Sequence, residues 1–239
     1  MDRWITERFA ALLRASPDPL VVDLGYGASP VTTVELAHRL RAAVPDVRVL
    51  GLEIDPARVA AAARAVDRPR LDFAHGGFEF AGHRPVLVRA ANLLRQYDEA
   101  TALAAWTTMC AGLTERGVLV EGTCDETGRL GSWVLLDRNG PRSLTLACRL
   151  GSLDRPRDLA ARLPKALIHH NVPGRSIHAL LGDLDRAWAA AAGLAPFGPR
   201  QRWVAACATL AADWPVLDRV PHWRRGELSV AWSAVAPNT

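Results

Sequence analysis

Between residues 20 and 66 the chain runs twice through one arrangement: a short apolar run, a turn of small or polar residues, then an amphipathic stretch. Leu20-Val21-Val22-Asp23-Leu24 is of strand type and leads straight into Gly25-Tyr26-Gly27-Ala28-Ser29. Pro30 suits the first turn of a helix, with Ser29 before it as N-cap. Val34, Ala37, Leu40 and Val44 then share one helical face until Pro45 stops it. Val47 to Ile54 reads as a buried strand, and Asp55-Pro56 caps and opens the next helix, through about Val66. Strands alternating with helices at this spacing require βαβ units and a parallel sheet. Right-handed crossovers then put helices on both faces.

The alternation extends in both directions. Trp4, Ile5, Phe9, Leu12 and Leu13 make residues 3–14 an amphipathic lead helix, ended by Ser16-Pro17-Asp18-Pro19. Arg70 to Phe73 is a third strand, and Pro85 to Ala91 a fourth, apolar except for Arg89. Asp98 caps a helix in which Leu103, Trp106, Cys110 and Leu113 share a face. Gly117 ends it, and Val118 to Gly122 is a fifth strand. After residue 124 the pattern changes. Trp133 to Leu136 and Ser143 to Ala147 flank Asn139-Gly140, a hairpin signal. Helical stretches follow at 154–163, 177–192 and about 200–212, with a last strand at Leu228 to Trp232. The predicted organisation is a Rossmann-like domain over 1–150 and a helical, Trp-rich, basic extension over 151–239.

Composition bounds the class. Of 239 residues 49% are hydrophobic, ample for a buried core. The formal net charge is +4, but it is unevenly spread: residues 1–128 hold 14 basic and 17 acidic side chains, and 129–239 hold 15 and 8. A second half at +7 points to an anionic partner there. The bland cause is genome composition, since Lys165 is the only lysine among 29 basic residues and alanine is abundant. The four cysteines form no C-x-x-C pair and no zinc spacing, so neither a metal nor a disulfide framework is expected. No apolar run approaches the roughly 20 residues that cross a bilayer. These features predict a soluble, cytoplasmic protein without membrane contact.

The chemistry concentrates at Asp23-Leu24-Gly25-Tyr26-Gly27. One glycine at a strand-to-helix turn allows positive φ, and a second lets a ligand approach the backbone. The null alternative is a plain tight turn. A dinucleotide fingerprint wants a small residue where Pro30 stands and an apolar one at Asp23, whose charge would repel a pyrophosphate and suits a ligand with a cationic end. Here the chain resembles the class I S-adenosylmethionine-dependent methyltransferases, over about residues 20–123. Their first motif, D-x-G-x-G, is matched by Asp23, Gly25 and Gly27, in a loop that also carries Tyr26. Their ribose-binding acid at the end of strand two is matched by Glu53, and the apolar neighbour that packs on adenine by Ile54. A carboxylate offers two acceptor oxygens to the two donors of a diol. The resemblance implies S-adenosyl-L-methionine as cofactor and an α/β, mostly parallel sheet of about seven strands in the order 3-2-1-4-5-7-6, with helical C-terminal additions. The sixth and seventh strands are the hairpin, or 228–232 supplies one of them.

The match departs from the family after strand three, where Gly77 stands in place of the usual adenine-binding Asp. Adenine then falls to backbone groups and to Phe78, which serves equally well as core. At the end of strand four the resemblance puts the acceptor beside Arg89, Asn92 and Tyr97. Arg89 and Asn92 are candidates to hold cofactor or acceptor, or simply tie the strand end to its loops. Asp125 and Glu126 border the same edge as a candidate base or a solvated loop. Lys165 to Arg175 contributes His169 and His170, candidate bases near neutral pH or members of a polar surface loop. Methyl transfer needs alignment more than strong acids or bases. Three functions follow: a methyltransferase acting on a small, anionic molecule under a Trp-rich C-terminal cover, an RNA or protein methyltransferase docking through the basic segment, or a cofactor-binding protein without transfer activity.

Overall fold

Every residue of the first strand is buried, and the chain is built outward from it. The computed structural model describes residues 1–237. Helix α1 (Asp2–Arg14) leads into β1 (Leu20–Leu24), then α2 (Val31–Ala43), β2 (Arg48–Glu53), α3 (Pro56–Ala62), β3 (Leu71–His75), β4 (Leu87–Ala91), α4 (Glu99–Gly112) and β5 (Val118–Cys124). The hairpin of β6 (Leu130–Asp137) and β7 (Gly140–Cys148) follows. Then come α5 (Lys165–Ile168), α6 (Ser176–Ala190), α7 (Pro199–Leu210), α8 (Val220–Trp223) and β8 (Glu227–Ala231), with short 3-10 turns between.

Local chemistry explains the boundaries that moved. Pro30 is the N-cap of α2 and the Ser29 hydroxyl accepts from the Val31 amide, so that helix starts one residue late. Asp55 caps α3 as expected, accepting from the Ala57 amide. That helix ends at Ala62 rather than Val66 because Asp67 pairs with Leu71 in both directions, which turns the chain early into β3. The 154–163 stretch is 3-10 rather than α, opened by Pro156.

β1 pairs parallel with β2 and β4, and β2 with β3. Among the described residues eight strands form one sheet, in the order β3-β2-β1-β4-β5-β6-β7-β8. This corrects the expectation of about seven strands ordered 3-2-1-4-5-7-6. The reason lies in two turns. Asp125 closes a tight turn, its backbone amide donating to the Leu130 carbonyl, and Asn139-Gly140 closes the next, with Gly140 at φ 102°. Consecutive strands are therefore neighbours, and β8 adds antiparallel on β7 instead of inserting before it.

The chain folds as two compact units that interleave in sequence. One comprises 1–94, 100–121 and 136–140, the other 95–99, 122–135 and 141–237. In the first, Trp4, Ile5, Leu13, Leu36, Leu40 and Phe80 are fully buried. In the second, Trp188, Trp203 and Trp223 are buried in the unit's own core. Trp203 is fully buried and meets Trp188 edge to face at 6.4 Å. The Arg202 guanidinium stacks on Trp188 at 4.0 Å, and the Trp214 indole donates to Asp183. Among the described residues no helix is long and apolar enough to cross a membrane.

Glu121 on β5 is a carboxyl placed inside the first unit at 1% exposure. Burial pushes its pKa up to about 8, the Trp106 indole N–H acting weakly in the other direction. The unfolded chain ionises near 4.5 while the folded one holds its proton to about 8. Stability from this group is therefore complete below pH 4.5 and falls as pH rises through 8. Glu121→Gln should flatten that decline and raise the thermal midpoint above wild type at pH 9, with little difference at pH 5. Calorimetric scans across pH check it; parallel curves for the two proteins would contradict a neutral buried carboxyl.

Candidate functional site

Register places one row of residues side by side across four parallel strands of the first unit: Phe73, Gly51, Asp23 and Arg89. Equivalent positions on neighbouring strands point to one face. The Arg89 guanidinium donates from Nε and Nη2 to the Asp23 carboxylate at 2.7 and 2.6 Å, and from Nη1 to Asp2 on α1 at 2.8 Å. The Thr33 hydroxyl on α2 adds a 2.6 Å bond to Asp23. Burial works against the charge on Arg89, but Asp23 and Asp2 outweigh it and raise its pKa above the ordinary arginine value. At Gly51 the absent side chain leaves room for the rings of Phe73 and Tyr26, which meet edge to face at 5.1 Å.

Above this row runs the turn after β1. Its glycines do different work. Gly25, at φ 68°, has no room for a Cβ, which would stand 2.6 Å from Leu93. Gly27, at φ 80°, has no atom within 4 Å of where a Cβ would stand. The first closes the turn onto the strand-four loop, and the second leaves an open approach to backbone. The Gly27 amide donates to Glu53 Oε2 at 3.0 Å, so the turn and the end of β2 face each other directly. Glu53 Oε1 accepts from the Ile54 and Asp55 amides at 2.9 and 3.3 Å, and Arg58 lies 3.5 Å from Oε2. Beside this carboxylate Ile54 is exposed, at 59%.

The loop after β3 completes the edge. Gly77 lies within reach of Ile54, and its amide donates to Glu79 Oε1 at 2.8 Å. That bond above all holds the Glu79 carboxyl below the usual carboxylate range. Phe80 and Ala81 both sit at positive φ, 57° and 52°, a conformation that non-glycine residues rarely take. The Phe80 ring, fully buried against Gly112 of α4, anchors the loop in that shape. Asn92 at the end of β4 also has positive φ, 58°.

Most of the expected cofactor residues therefore gather on one edge: Gly25, Gly27, Glu53, Ile54 and Gly77, with Phe78 half-buried next to them. Three do not reach outward. Tyr26 turns its ring down onto Phe73 and donates its hydroxyl to the Arg58 carbonyl. Arg89 is only 4% exposed with its donors on two carboxylates, which corrects the expectation that it receives an anionic acceptor. Asp23 is likewise closed by Arg89 and Thr33. Of the remaining candidates, Tyr97, His169 and His170 belong to the second unit. His170 Nε2 lies 2.7 Å from Glu99, and His169 lines a cavity of that unit. Asp125 folds back on the Arg129 and Leu130 amides and is spent on its turn. Sequence reasoning missed Glu79, Thr33 and Asp2. Only Glu79 carried a signal, an acid two residues beyond the glycine that replaces the family's Asp.

No family model matches the chain, and no curated protein matches it. Solved structures do resemble it. The magnesium protoporphyrin IX methyltransferase from Synechocystis PCC 6803 with bound SAH is 18% identical over 52% of this chain and 56% of that one, at a TM-score of 0.38. An O-methyltransferase family 2 protein from Planctomyces limnophilus DSM 3776, in complex with apigenin, is 17% identical over 51% and 42%, at 0.36. The CMeT domain of the citrinin polyketide synthase is 17% identical over 46% and 30%, at 0.39. The matched stretch is under two thirds of each of those chains, and at these values the likeness has no functional weight.

The buried row gives a direct test. Removing Arg89 leaves Asp23 buried without its cation, a defect that costs about 3–5 kcal/mol. Arg89→Met should lower stability by that amount in urea unfolding. Adding Asp23→Asn should recover part of it, because the stranded charge is gone. A pair of single variants whose costs simply add would show that the two side chains do not act together.

Proposed function

We propose that the chain is an S-adenosylmethionine-dependent methyltransferase acting on a small molecule. The observation that carries this reading is the 3.0 Å contact between the Gly27 amide and Glu53. It sets an acid at the end of β2 against an open glycine turn after β1. This is the carboxyl edge of the parallel strands, where the order reverses between β1 and β4, the place where open α/β sheets receive ligands.

The residues fit the cofactor part by part. The space over Gly27 is open, so a ligand can approach its backbone. Glu53 accepts the ribose diol, exchanging its two longest contacts, Asp55 at 3.3 Å and the half-exposed Arg58 at 3.5 Å. Exposed Ile54 and half-buried Phe78 flank the adenine, and Glu79 supplies the carboxylate acceptor that Gly77 lacks for the exocyclic amine. Asp23, already neutralised by Arg89, shapes the turn and is not itself the ligand of the cofactor's ammonium. When bound, the cofactor supplies a methyl group on a sulfonium, activated for in-line displacement. The protein's part is to bind, orient and exclude water, and no strong base is required on this edge.

The small-molecule reading is favoured over nucleic acid by where the arginines of the second unit go. Arg155 and Arg157 pair with Asp185, Arg186 with Asp183, and Arg202 stacks on Trp188. Cations already matched inside their own unit are poor phosphate readers.

Calorimetric titration with S-adenosylmethionine and S-adenosylhomocysteine, followed by labelled-methyl transfer to small phenols and carboxylates and to RNA, tests the proposal. Saturable binding of both ligands is expected; binding of neither would overturn it. Glu53→Ala should weaken both alike by about tenfold or more, as loss of a hydrogen bond to a charged group implies. Weakening of one alone would mean that Glu53 reads the sulfonium instead. Gly27→Ala has room in the ligand-free turn, so its stability cost should stay near the ~1 kcal/mol of a left-handed alanine. Cofactor affinity should nevertheless fall at least about tenfold.

A further inference from the structure

The second unit contains a small, open cavity of about 90 Å3 lined by Arg95, Leu163, Lys165, Ile168 and His169. Two of these side chains are cationic and none is acidic. The cations come from separate segments, Arg95 from the 3-10 turn after β4 and Lys165 from α5. Arg95 is pinned in place, since its Nη1 donates to the Ala161 carbonyl at 3.2 Å, which leaves its other N–H groups for a ligand. Nearby in sequence, the Glu99 carboxylate is engaged by His170 at 2.7 Å. Leu163 and Ile168 supply an apolar wall.

We propose that this cavity binds a small organic carboxylate, its charged end held by Arg95 and Lys165 and its apolar body laid on Leu163 and Ile168. Arginine presents its donors as a planar fork that matches a carboxylate in two parallel bonds. The volume lies below that of drug-sized ligand sites, so the body is a short alkyl chain rather than a ring system. The apolar wall favours such a molecule over inorganic phosphate, and with no aromatic among the lining residues the cavity lacks a stacking surface for bases. The site belongs to one unit and stands independently of the methyl-transfer reading.

Butyrate, titrated into the full chain without any cofactor, is the probe. Saturable binding is expected, weakened about tenfold or more for the uncharged 1-butanol and for Arg95→Gln or Lys165→Gln. Because Lys165 is the chain's only lysine, amine acylation followed by mass spectrometry reads this cavity directly, apart from the α-amino group. At ten times Kd the probe should slow Lys165 acylation about tenfold while leaving the α-amino rate unchanged. No saturable binding, equal binding by both variants, or unprotected Lys165 would each overturn the proposal. Phosphate binding as tightly as butyrate would overturn it too, leaving a site for charge alone.

Discussion

The pairing of Asp23 with Arg89 is the constraint on which the rest of the first unit hangs. Two charges on adjacent central strands, at 2% and 4% exposure, are tolerable only because each is closed by the other and by a further partner, Thr33 for Asp23 and Asp2 for Arg89. Those four residues come from β1, β4, α1 and α2, so one polar cluster fixes two strands and two helices in relative position. Buried ion pairs are weak contributors to net stability, but they punish misregistration severely. A one-residue slip of β4 would turn Arg89 to the other face and strand both acids. The cluster therefore sets register at the point where the sheet reverses direction, immediately beneath the glycine turn.

That register decides what the edge above it can do. With Asp23 held, β1 ends at Leu24, and the Gly25 amide bonds to the Leu52 carbonyl at 2.8 Å, bringing the turn down onto β2. Glu53 then meets Gly27. Gly25 packs against Leu93 and serves the fold, while Gly27 leaves its backbone accessible and serves a ligand. The strained loop at Phe80 and Ala81 belongs to the same economy. A fully buried ring holds an unfavourable backbone so that Gly77 and Glu79 stay beside Ile54. Strain over-determined by packing, at the edge where strands end, is where binding loops are expected.

How much of this could be read from residues alone follows the range of the interactions. The strands and helices of the first 124 residues were legible because hydrophobic period and turn chemistry are local, and β1 was read to the residue. The Asp23, Gly25, Gly27 and Glu53 constellation was legible because its spacing along the chain is fixed by the βαβ unit. Arg89 was left between an acceptor-binding role and a tie to neighbouring segments for the opposite reason. An arginine at a strand end reads as a reaching side chain until its partner is known, and Asp2 lies 87 residues away in sequence. The strand order failed at the hairpin, where neither loop length nor pattern says on which side β8 will add. The short α5 and the early end of α3 were missed because they depend on tertiary pairing rather than on period.

The basic half of the chain shows how a sum of charges misleads when its partners are ignored. Its excess of +7 suggests a broad cationic surface for an anionic partner. Yet on α6 Asp185 gathers Arg155 and Arg157, Asp183 pairs with Arg186, and Arg202 is committed to an indole face. Exposed pairs of this kind contribute little to stability, but they lower the local potential that a polyanion would feel. Two further cations, Arg95 and Lys165, meet at one small cavity while the nearby Glu99 is engaged by His170. A surface for nucleic acid needs cations repeated along a backbone, whereas a small anion needs two or three converging on one point. The second unit has the converging arrangement.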